Sequence, residues 1–476
     1  LELEPDREGG QRVRASLARL PAVPGAEMPA EGLALLTNGR GGYARIHADL
    51  GRIDSKYDAL LAANLHPDRP CDRHVLAKRL RAWAIADGFL TALDGANLVD
   101  FRGEAPARWR WSVNAGDGRC VALELVATML PGRNEVQLRF TRLSGTPARG
   151  RALDPAGELR LTLRLDLEDR GFHGETTLDP GLDAHFQASL AAEPAGFRFA
   201  PAAERVLQVA ADRGAFHPEP EWAQGIPHPQ EGGRGQRDRG DAWSPGWFEA
   251  VLGEGESLTL ALGAEPELRA PVAVEAPPPR AHPDLGEALR AALPAFLAQR
   301  GGGRTVIAGY PWFLDWGRDT LIACRGLLAG GFHAEVADIL RTFAALIENG
   351  TLPNTLNAED TGNRDTSDAP LWFALACAEA AQALGPAFLG PELRAGLRGI
   401  AEGYRAGTPN GIRVDPESGL VWSPAHFTWM DTNHPAGSPR EGYPIELQAL
   451  WIRLLRLLAR LEGGGPWAAL AGRAEA

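Results

Sequence analysis

The sequence is poor in cysteine, and the cysteines it has stand far apart. Cys71, Cys120, Cys324 and Cys377 form no CxxC pair, so the chain carries neither the redox motif nor the zinc motif built on such pairs. Four thiols among 476 residues also argue against a small scaffold held by disulfides. We therefore expect all four to be reduced, small residues of the core.

The chain also lacks an excess of basic residues and a long apolar run. It has 49 Lys and Arg against 61 Asp and Glu, a net charge of −12. This balance speaks against a nucleic-acid-binding protein and against attraction to an anionic membrane. No apolar run approaches the ~20 residues that span a bilayer, and residues 1–19 lack the apolar core of a signal peptide. We expect a cytoplasmic protein with a neutral substrate.

Several common catalytic signatures are missing as well. The sequence contains no GxSxG nucleophile motif and no GxxxxGK[ST] phosphate loop. His426 and His434 are eight positions apart, and no third ligand stands at a recognised metal-binding spacing. We therefore expect neither a bound metal nor another cofactor.

Alternating apolar and polar residues dominate the first half of the chain. Such alternation puts apolar side chains on one face of a strand, and short strands separated by turn residues are typical of a β-sandwich. We predict a lead-in over residues 1–32 and a β-sandwich domain over residues 33–268. The clearest strand candidates are residues 108–113, 121–126, 135–140, 158–167 and 257–262.

A proline-rich linker is predicted over residues 269–283, because its prolines exclude a helix interior. Residues 284–476 then show the i, i+3, i+4 apolar spacing of helices, and Asp284 is a plausible N-cap for the first of them. We predict a helical second domain over this range. The helix candidates are residues 285–299, 319–328, 334–348, 369–384, 392–404 and 445–461.

The first segment with the chemistry of a binding site lies near residue 310. Tyr310, Trp312 and Trp316 closely precede Arg318 and Asp319. Aromatic rings stack on the C–H faces of sugars, while arginine and carboxylate side chains bind the hydroxyl rims. The composition is equally compatible with an ordinary aromatic core beside a surface Arg–Asp pair.

A second candidate segment comprises residues 352–355, which include Asn354, and the loop that leads from them to Trp372, with Asp360, Asp365 and Asp368. Asp368 directly precedes a predicted helix, so the alternative is that it serves only as an N-cap.

A third segment brings Asp431, Glu441 and Glu446 within sixteen residues. Glycosidases need a carboxylic acid that protonates the leaving oxygen. An apolar wall favours the protonated form of a carboxyl group, and Trp429 and Met430 are suited to form one beside Asp431. The alternative is a solvated acidic loop.

Together the segments resemble a known family. GYPWFLDWGRDT at residues 309–320 resembles the signature that opens the catalytic domain of glycogen debranching enzymes, the amylo-α-1,6-glucosidases. The later signatures have counterparts in the right order, at residues 350–354, 365–373, 428–431 and 439–451. Residues 37–43 and 56–62 look like the family's amino-terminal β-sandwich domain. The resemblance covers about residues 33–462.

The resemblance implies a fold and a reaction. The fold is a β-sandwich followed by an (α/α)6 barrel, the six-hairpin toroid, with the site at one end. The reaction is hydrolysis, with inversion and without a cofactor, of the α-1,6-linked glucose left at a trimmed branch point of glycogen or limit dextrin. Asp431 would be the general acid, and Trp316, Arg318 and Asp319 would hold the glucose.

The resemblance also implies that Asp368 and Trp372 line the same subsite, and that Arg440, Glu441 and Glu446 shape its far wall. Tyr310, Trp312, Asn354 and Trp429 complete the expected substrate-binding set. Because nothing in the chain resembles the transferase module of eukaryotic relatives, a separate glucanotransferase or phosphorylase would trim the branches first.

The helix candidates supply only about half of an (α/α)6 barrel. We therefore expect an incomplete catalytic domain whose catalytic base lies beyond residue 476, with Glu441 and Glu446 as weaker candidates for that role. Two other functions stay open from sequence. One is another inverting α-glucan hydrolase or a phosphorylase on the same barrel, and the other is a non-catalytic glucan-binding protein.

Overall fold

The computed structural model describes residues 2–5, 11–14, 32–272, 284–356, 362–432 and 435–476. Most of the predicted lead-in and most of the predicted linker lie outside these ranges. Asp360 and His434 lie outside them too. Within the described ranges no helix is both long and apolar enough to cross a membrane.

Strands make up most of the first half of the chain, and the helices α1 (Pro180–Ala188) and α2 (Pro229–Gly232) lie between them. The strands are β1 (Glu2–Pro5), β2 (Gln11–Arg14), β3 (Leu33–Thr37), β4 (Tyr43–His47), β5 (Ala59–Asn64), β6 (Arg73–Ala86), β7 (Phe89–Ala92), β8 (Leu98–Arg102), β9 (Ala107–Asn114), β10 (Arg119–Met129), β11 (Glu135–Arg142), β12 (Arg151–Ala152), β13 (Leu159–Gly171), β14 (Leu190–Glu193), β15 (Gly196–Ala202), β16 (Arg205–Ala211), β17 (Ala215–Pro227), β18 (Arg239–Leu252) and β19 (Ser257–Gly263).

Two large sheets form a sandwich around one apolar core. The first has the order β14-β15-β16-β19-β11-β10-β9-β8, with β12 paired to β10. The second has the order β17-β18-β13-β6-β5-β4-β3, with β7 paired to β6. Trp109, Trp111 and Phe140 from the first sheet and Leu161 and Leu163 from the second belong to the same buried cluster. The alternation in the sequence therefore predicted the β-sandwich correctly.

Helices dominate the second half, as predicted. They are α3 (Leu285–Ala292), α4 (Gly317–Gly330), α5 (His333–Ala344), α6 (Ala369–Leu384), α7 (Pro391–Ala406), α8 (Ile445–Leu461) and α9 (Gly465–Glu475). Short strands accompany them: β20 (Leu297–Arg300), β21 (Gly303–Val306), β22 (Arg413–Val414) and β23 (Val421–Trp422). Helix α4 packs on α5 and α6, and α6 packs on α8.

The prediction for residues 285–299 was wrong in its second half. Helix α3 ends at Ala292 and continues only as a 3-10 turn, after which β20 pairs with β21. Pro294 lacks the backbone N–H that a longer helix would use. Asp284 stands at the N-cap position of α3, as predicted, but its side chain makes no capping hydrogen bond. Helix α9 was not predicted at all.

The four cysteines divide into two pairs by burial. Cys324 and Cys377 are buried in the helical core, whereas Cys71 and Cys120 are only half-buried. The expectation of four core cysteines therefore holds for two of them.

The two halves of the chain share a buried contact. Tyr43 and Val75 of the sandwich cluster with Ala298, Ile307 and Tyr310 of the second half. Backbone hydrogen bonds support this contact, including one from the amide of Gln299 to the carbonyl oxygen of Gly39 at 2.8 Å. The start of the helical half is therefore held against the sandwich.

Candidate active site

Residues 307–316, here named the site loop, connect β21 to α4 and carry most of the first candidate segment. Ile307 and Asp315 form a bridge at the base of the loop. The amide of Ala308 donates to the carbonyl oxygen of Leu314 at 2.9 Å. The site loop is therefore a hairpin-like turn, and α4 begins directly at its C-terminal end.

The aromatic side chains of the site loop point in two directions. Tyr310 is only 7% exposed and meets the ring of Tyr43 edge-on at 5.6 Å. The half-buried Trp312 lies under the guanidinium of Arg234, 5.5 Å from its ring centroid. Both rings therefore contact the sandwich, and their expected role in stacking on a sugar stays a prediction. Phe313, which is 49% exposed, takes a solvent-facing position instead.

Asp315 anchors the base of the site loop. Its carboxylate accepts a hydrogen bond from Nη1 of the buried Arg300 at 2.8 Å. Burial raises the pKa of Asp315 to about 6, and Arg300 opposes that shift. The half-buried Trp316 follows directly and precedes the first residue of α4.

The centre of the site is the buried ion pair between Arg318 and Asp368. Arg318 Nε donates to Asp368 Oδ2 at 2.6 Å, and Arg318 Nη2 donates to the carbonyl oxygen of Thr428 at 2.8 Å. Arg318 Nη1 lies 4.0 Å from Asp431 Oδ2. One guanidinium thus brings together the three segments that the sequence analysis singled out.

Asp368 occupies the N-cap position of α6, but its side chain does not cap the helix, so the alternative that it serves only as an N-cap does not hold. It precedes α6 but makes no side-chain hydrogen bond to the helix N-terminus. One carboxylate oxygen binds Arg318, and the other accepts from the Thr366 hydroxyl at 2.8 Å. Its partner Arg318 lies fifty positions away in the chain.

Asp319 occupies a different environment from its neighbour. Burial raises the pKa of Asp319, Arg318 opposes that shift, and the nearby Asp368 and Asp431 carboxylates add to it. The residue is also the one charged group along an otherwise apolar cavity of about 270 Å³ among the described residues. The apolar part of the wall consists of Leu293, Phe296, Val306, Ile307, Ala308, Ile322, Ala323 and Leu327.

Asp431 lies at the open side of the site. Its side chain is 37% exposed, and the neighbouring Trp429 is 55% exposed. The enclosing apolar wall expected from Trp429 and Met430 is therefore not formed here. Instead, the guanidinium of Arg440 lies over the Trp429 ring, 5.4 Å from its centroid.

The two other acidic candidates differ in their surroundings. Glu446 forms an ion pair with Arg440, whose Nε also donates to the Thr428 hydroxyl at 3.2 Å. Glu441 is exposed. Arg440 therefore links Glu446 to the Thr428 turn.

Asn354 and Trp372 contribute mainly to the frame of the site. The carbonyl oxygen of Asn354 accepts from the amide of Gly317 at 2.9 Å, and this fixes the start of α4. The side-chain oxygen of Asn354 is buried and has no hydrogen-bond partner among the described residues. Trp372, in the first turn of α6, is half-buried and packs on the helical core.

The sequence analysis missed Thr428 and Thr366, which hold the central ion pair from two sides. Thr428 binds Arg318 through its carbonyl and Arg440 through its hydroxyl. The one indication of Thr428 in the sequence was its position as the first residue of the TWMD segment. Among the described residues, no group of three or more His, Cys, Asp and Glu side chains is placed to hold a metal ion.

Comparison with known proteins gives matches to both halves of the chain. Residues 34–259 match the family described as "Glycogen debranching enzyme N terminal", and residues 292–465 match the family described as "Amylo-alpha-1,6-glucosidase". A solved structure of a bacterial glucoamylase complexed with acarbose is similar at 9% sequence identity and a TM-score of 0.46. That match covers 94% of this chain and 66% of the glucoamylase chain, just under two thirds.

Proposed function

Because the chain belongs to the glycogen debranching enzyme family, we propose that it is a glycoside hydrolase that acts on α-glucans. The observation that supports a site in this chain is the position of Arg318. Its guanidinium binds Asp368 and Thr428 and lies 4.0 Å from Asp431. A rigid cation next to an accessible carboxyl group suits the binding of a sugar whose glycosidic oxygen must be protonated.

The glucose unit is held, in this proposal, by Trp316, Arg318 and Asp319 at the start of α4. The Arg318 guanidinium is fixed by two hydrogen bonds, so it loses little conformational freedom when a sugar hydroxyl binds. The Asp319 carboxyl group, whose pKa is raised mainly by burial, lies directly beside Arg318 and can hydrogen-bond a second hydroxyl group of the same sugar. Phe313 extends the apolar surface beside Trp316.

Asp431 acts as the general acid in this proposal. The acid must reach the leaving oxygen, and the 37% exposure of the Asp431 side chain leaves it accessible. The exposed Trp429 ring provides a surface for the leaving glucan chain.

The proposal extends to the linkage that is cleaved and to the stereochemistry of the reaction, both on the basis of the family. The substrate is the α-1,6-linked glucose at a trimmed branch point, and the product is released with inversion. Inversion requires a second carboxylate about 6.5–9.5 Å from the acid. Glu441 is a better candidate among the described residues than Glu446, which is paired with Arg440. A separate glucanotransferase or phosphorylase would prepare the substrate.

The Asp431→Asn variant tests the acid. We expect glucose release from limit dextrin to fall by about 10²- to 10⁴-fold, while calorimetry shows nearly unchanged glucan binding. Asp338 on α5 has a side chain that is 42% exposed, and Asp338→Asn is the matched control, which should keep the wild-type rate.

A wild-type rate in Asp431→Asn would overturn the assignment of the acid. Assays on limit dextrin, maltose and trehalose, with and without phosphate, separate the debranching reaction from other hydrolases and from phosphorolysis. Glucan binding without any glucose release would support a binding protein instead.

A further inference from the structure

Arg73, the first residue of β6, is a fully buried arginine that the proposed chemistry does not use. It is 2% exposed and lies in the sandwich, where the sandwich meets the site loop. Three aromatic rings surround its guanidinium carbon, with centroids 5.3 Å away at Tyr43, 5.0 Å away at Phe172 and 5.0 Å away at Tyr310. Cation–π contacts of this kind are strengthened when water is excluded.

The hydrogen bonds of Arg73 join the two halves of the chain. Nε donates to the carbonyl oxygen of Gly41 in the sandwich at 2.9 Å. Nη1 donates to the carbonyl oxygens of Pro311 and Phe313 at the tip of the site loop, both at 3.1 Å. The guanidinium therefore ties the tip of the site loop to the sandwich.

The turn that presents Gly41 is built for this contact. Gly41 has a φ of +94°, and a Cβ atom there would lie 2.6 Å from Cβ of Pro70. The Asn38 side chain closes the turn by accepting from the amides of Arg40 at 2.8 Å and Gly42 at 3.0 Å. The segment at residues 37–43, singled out from sequence, thereby aims one carbonyl at Arg73.

The site loop depends on this anchor because its own hydrogen bonds are few. The amide of Phe313 donates to Gly309 at 2.8 Å, and the amide of Ala308 donates to Leu314 at 2.9 Å. The Pro311 carbonyl that Arg73 binds is buried with it, so loss of the guanidinium would leave a buried acceptor without a partner. The loop would then have to move to expose that carbonyl to water.

We propose that Arg73 is a positioning residue through which the sandwich fixes the site loop in the geometry that binds glucan. Trp316 ends the loop, and Arg318 and Asp319 follow it at the start of α4. A displacement of the loop therefore shifts the groups that grip the sugar. The kinetic part of this inference rests on the function proposed above, whereas the structural part does not.

The test compares Arg73→Met with Arg142→Met. Arg142 is equally buried and also donates to backbone carbonyls, at 3.3 Å to Leu252 and 3.2 Å to Asp154, but these lie within the sandwich. Hydrogen exchange is measured on the folded proteins below their melting temperatures. We expect amides of residues 308–316 to exchange about tenfold faster in Arg73→Met and unchanged in Arg142→Met.

The second readout is function. We expect KM for limit dextrin to rise about tenfold or more in Arg73→Met, with a smaller fall in kcat, because the site loop grips the sugar but does not transfer the proton. Arg142→Met should keep both constants within about threefold. Binding of limit dextrin by calorimetry should weaken in parallel with KM.

Unchanged exchange in the site loop of Arg73→Met would overturn the proposal. The proposal would also be overturned if the site loop of Arg73→Met exchanged faster but this variant bound limit dextrin as tightly as Arg142→Met does. If Arg73→Met does not fold, Arg73→Lys replaces it, since the compact ammonium keeps the charge but lacks the planar fork that reaches two halves of the chain. A wild-type protein that releases no glucose would refute the proposed function, while the exchange and binding data would still decide the role of Arg73.

Discussion

The Asp368→Asn variant isolates the charge of the central ion pair. Asparagine has almost the shape of aspartate and keeps an oxygen that can accept from Arg318 Nε, so the change removes a charge with little change in volume. Arg318 is then left as a buried cation that contacts only neutral acceptors within hydrogen-bond distance, the asparagine oxygen and the Thr428 carbonyl oxygen at 2.8 Å. The nearest other carboxylate is Asp431, 4.0 Å away.

The expected cost follows from burial. The side chains of Arg318 and Asp368 are 9% and 3% exposed, so solvent screens this pair little. Removing one partner of such a pair costs about 3–5 kcal/mol, because an uncompensated charge stays buried. The Asp431 carboxylate lies close enough to compensate part of the Arg318 charge. We therefore expect the free energy of unfolding to fall by about 3 kcal/mol, the lower end of that range.

Urea unfolding measures this loss as a lower midpoint at an unchanged slope. The matched control is Asp365→Asn, the same substitution three positions away on an exposed residue of the same loop. It should change the free energy of unfolding by less than about 0.5 kcal/mol. If Asp368→Asn were as stable as Asp365→Asn, the ion pair would not hold Arg318, and the account of the site would be wrong.

Two further expectations concern the frame of the site. Gly317→Ala should destabilise the protein by about 2 kcal/mol or more, because its Cβ would lie 2.3 Å from the Pro353 carbonyl oxygen. Gly326→Ala, on the exposed face of the same helix, should stabilise it by about 0.5–1 kcal/mol, and equal effects in thermal melts would refute the close approach. For Asp315, burial raises the folded-state pKa from 3.8 to about 6, so its contribution to stability is full below about pH 4 and is lost as the pH rises through about 6. Asp315→Asn should flatten this decline in urea titrations between these pH values, and an unchanged decline would contradict the shift.

Strong periodicity made part of the fold predictable from the sequence. The helix predicted over residues 369–384 and the one predicted over residues 445–461 match α6 and α8 at both ends. The stretch at residues 297–300 could not be assigned in the same way. Its apolar residues continue the helical spacing, but pairing with β21 and docking on the sandwich make it a strand.

The direction of the aromatic side chains near residue 310 could not be predicted from the sequence either. Tyr310 and Trp312 stand in the segment that resembles a sugar-binding signature, yet they face the sandwich. That orientation depends on contacts with residues more than two hundred positions earlier, such as Arg73. The sequence predicted correctly that Asp368 directly precedes a helix. Its pairing with Arg318, fifty positions away, depends on tertiary packing and could not be predicted.

The role of Asp431 as general acid is tested most directly by comparing two substrates on the Asp431→Asn variant. Limit dextrin needs a protonated leaving oxygen, whereas α-glucosyl fluoride loses fluoride without help from an acid. We expect kcat/KM of Asp431→Asn to fall by about 10²- to 10⁴-fold on limit dextrin but by less than about tenfold on the fluoride. Equal losses on both substrates would show that Asp431 only holds the sugar, and would contradict its assignment as the acid.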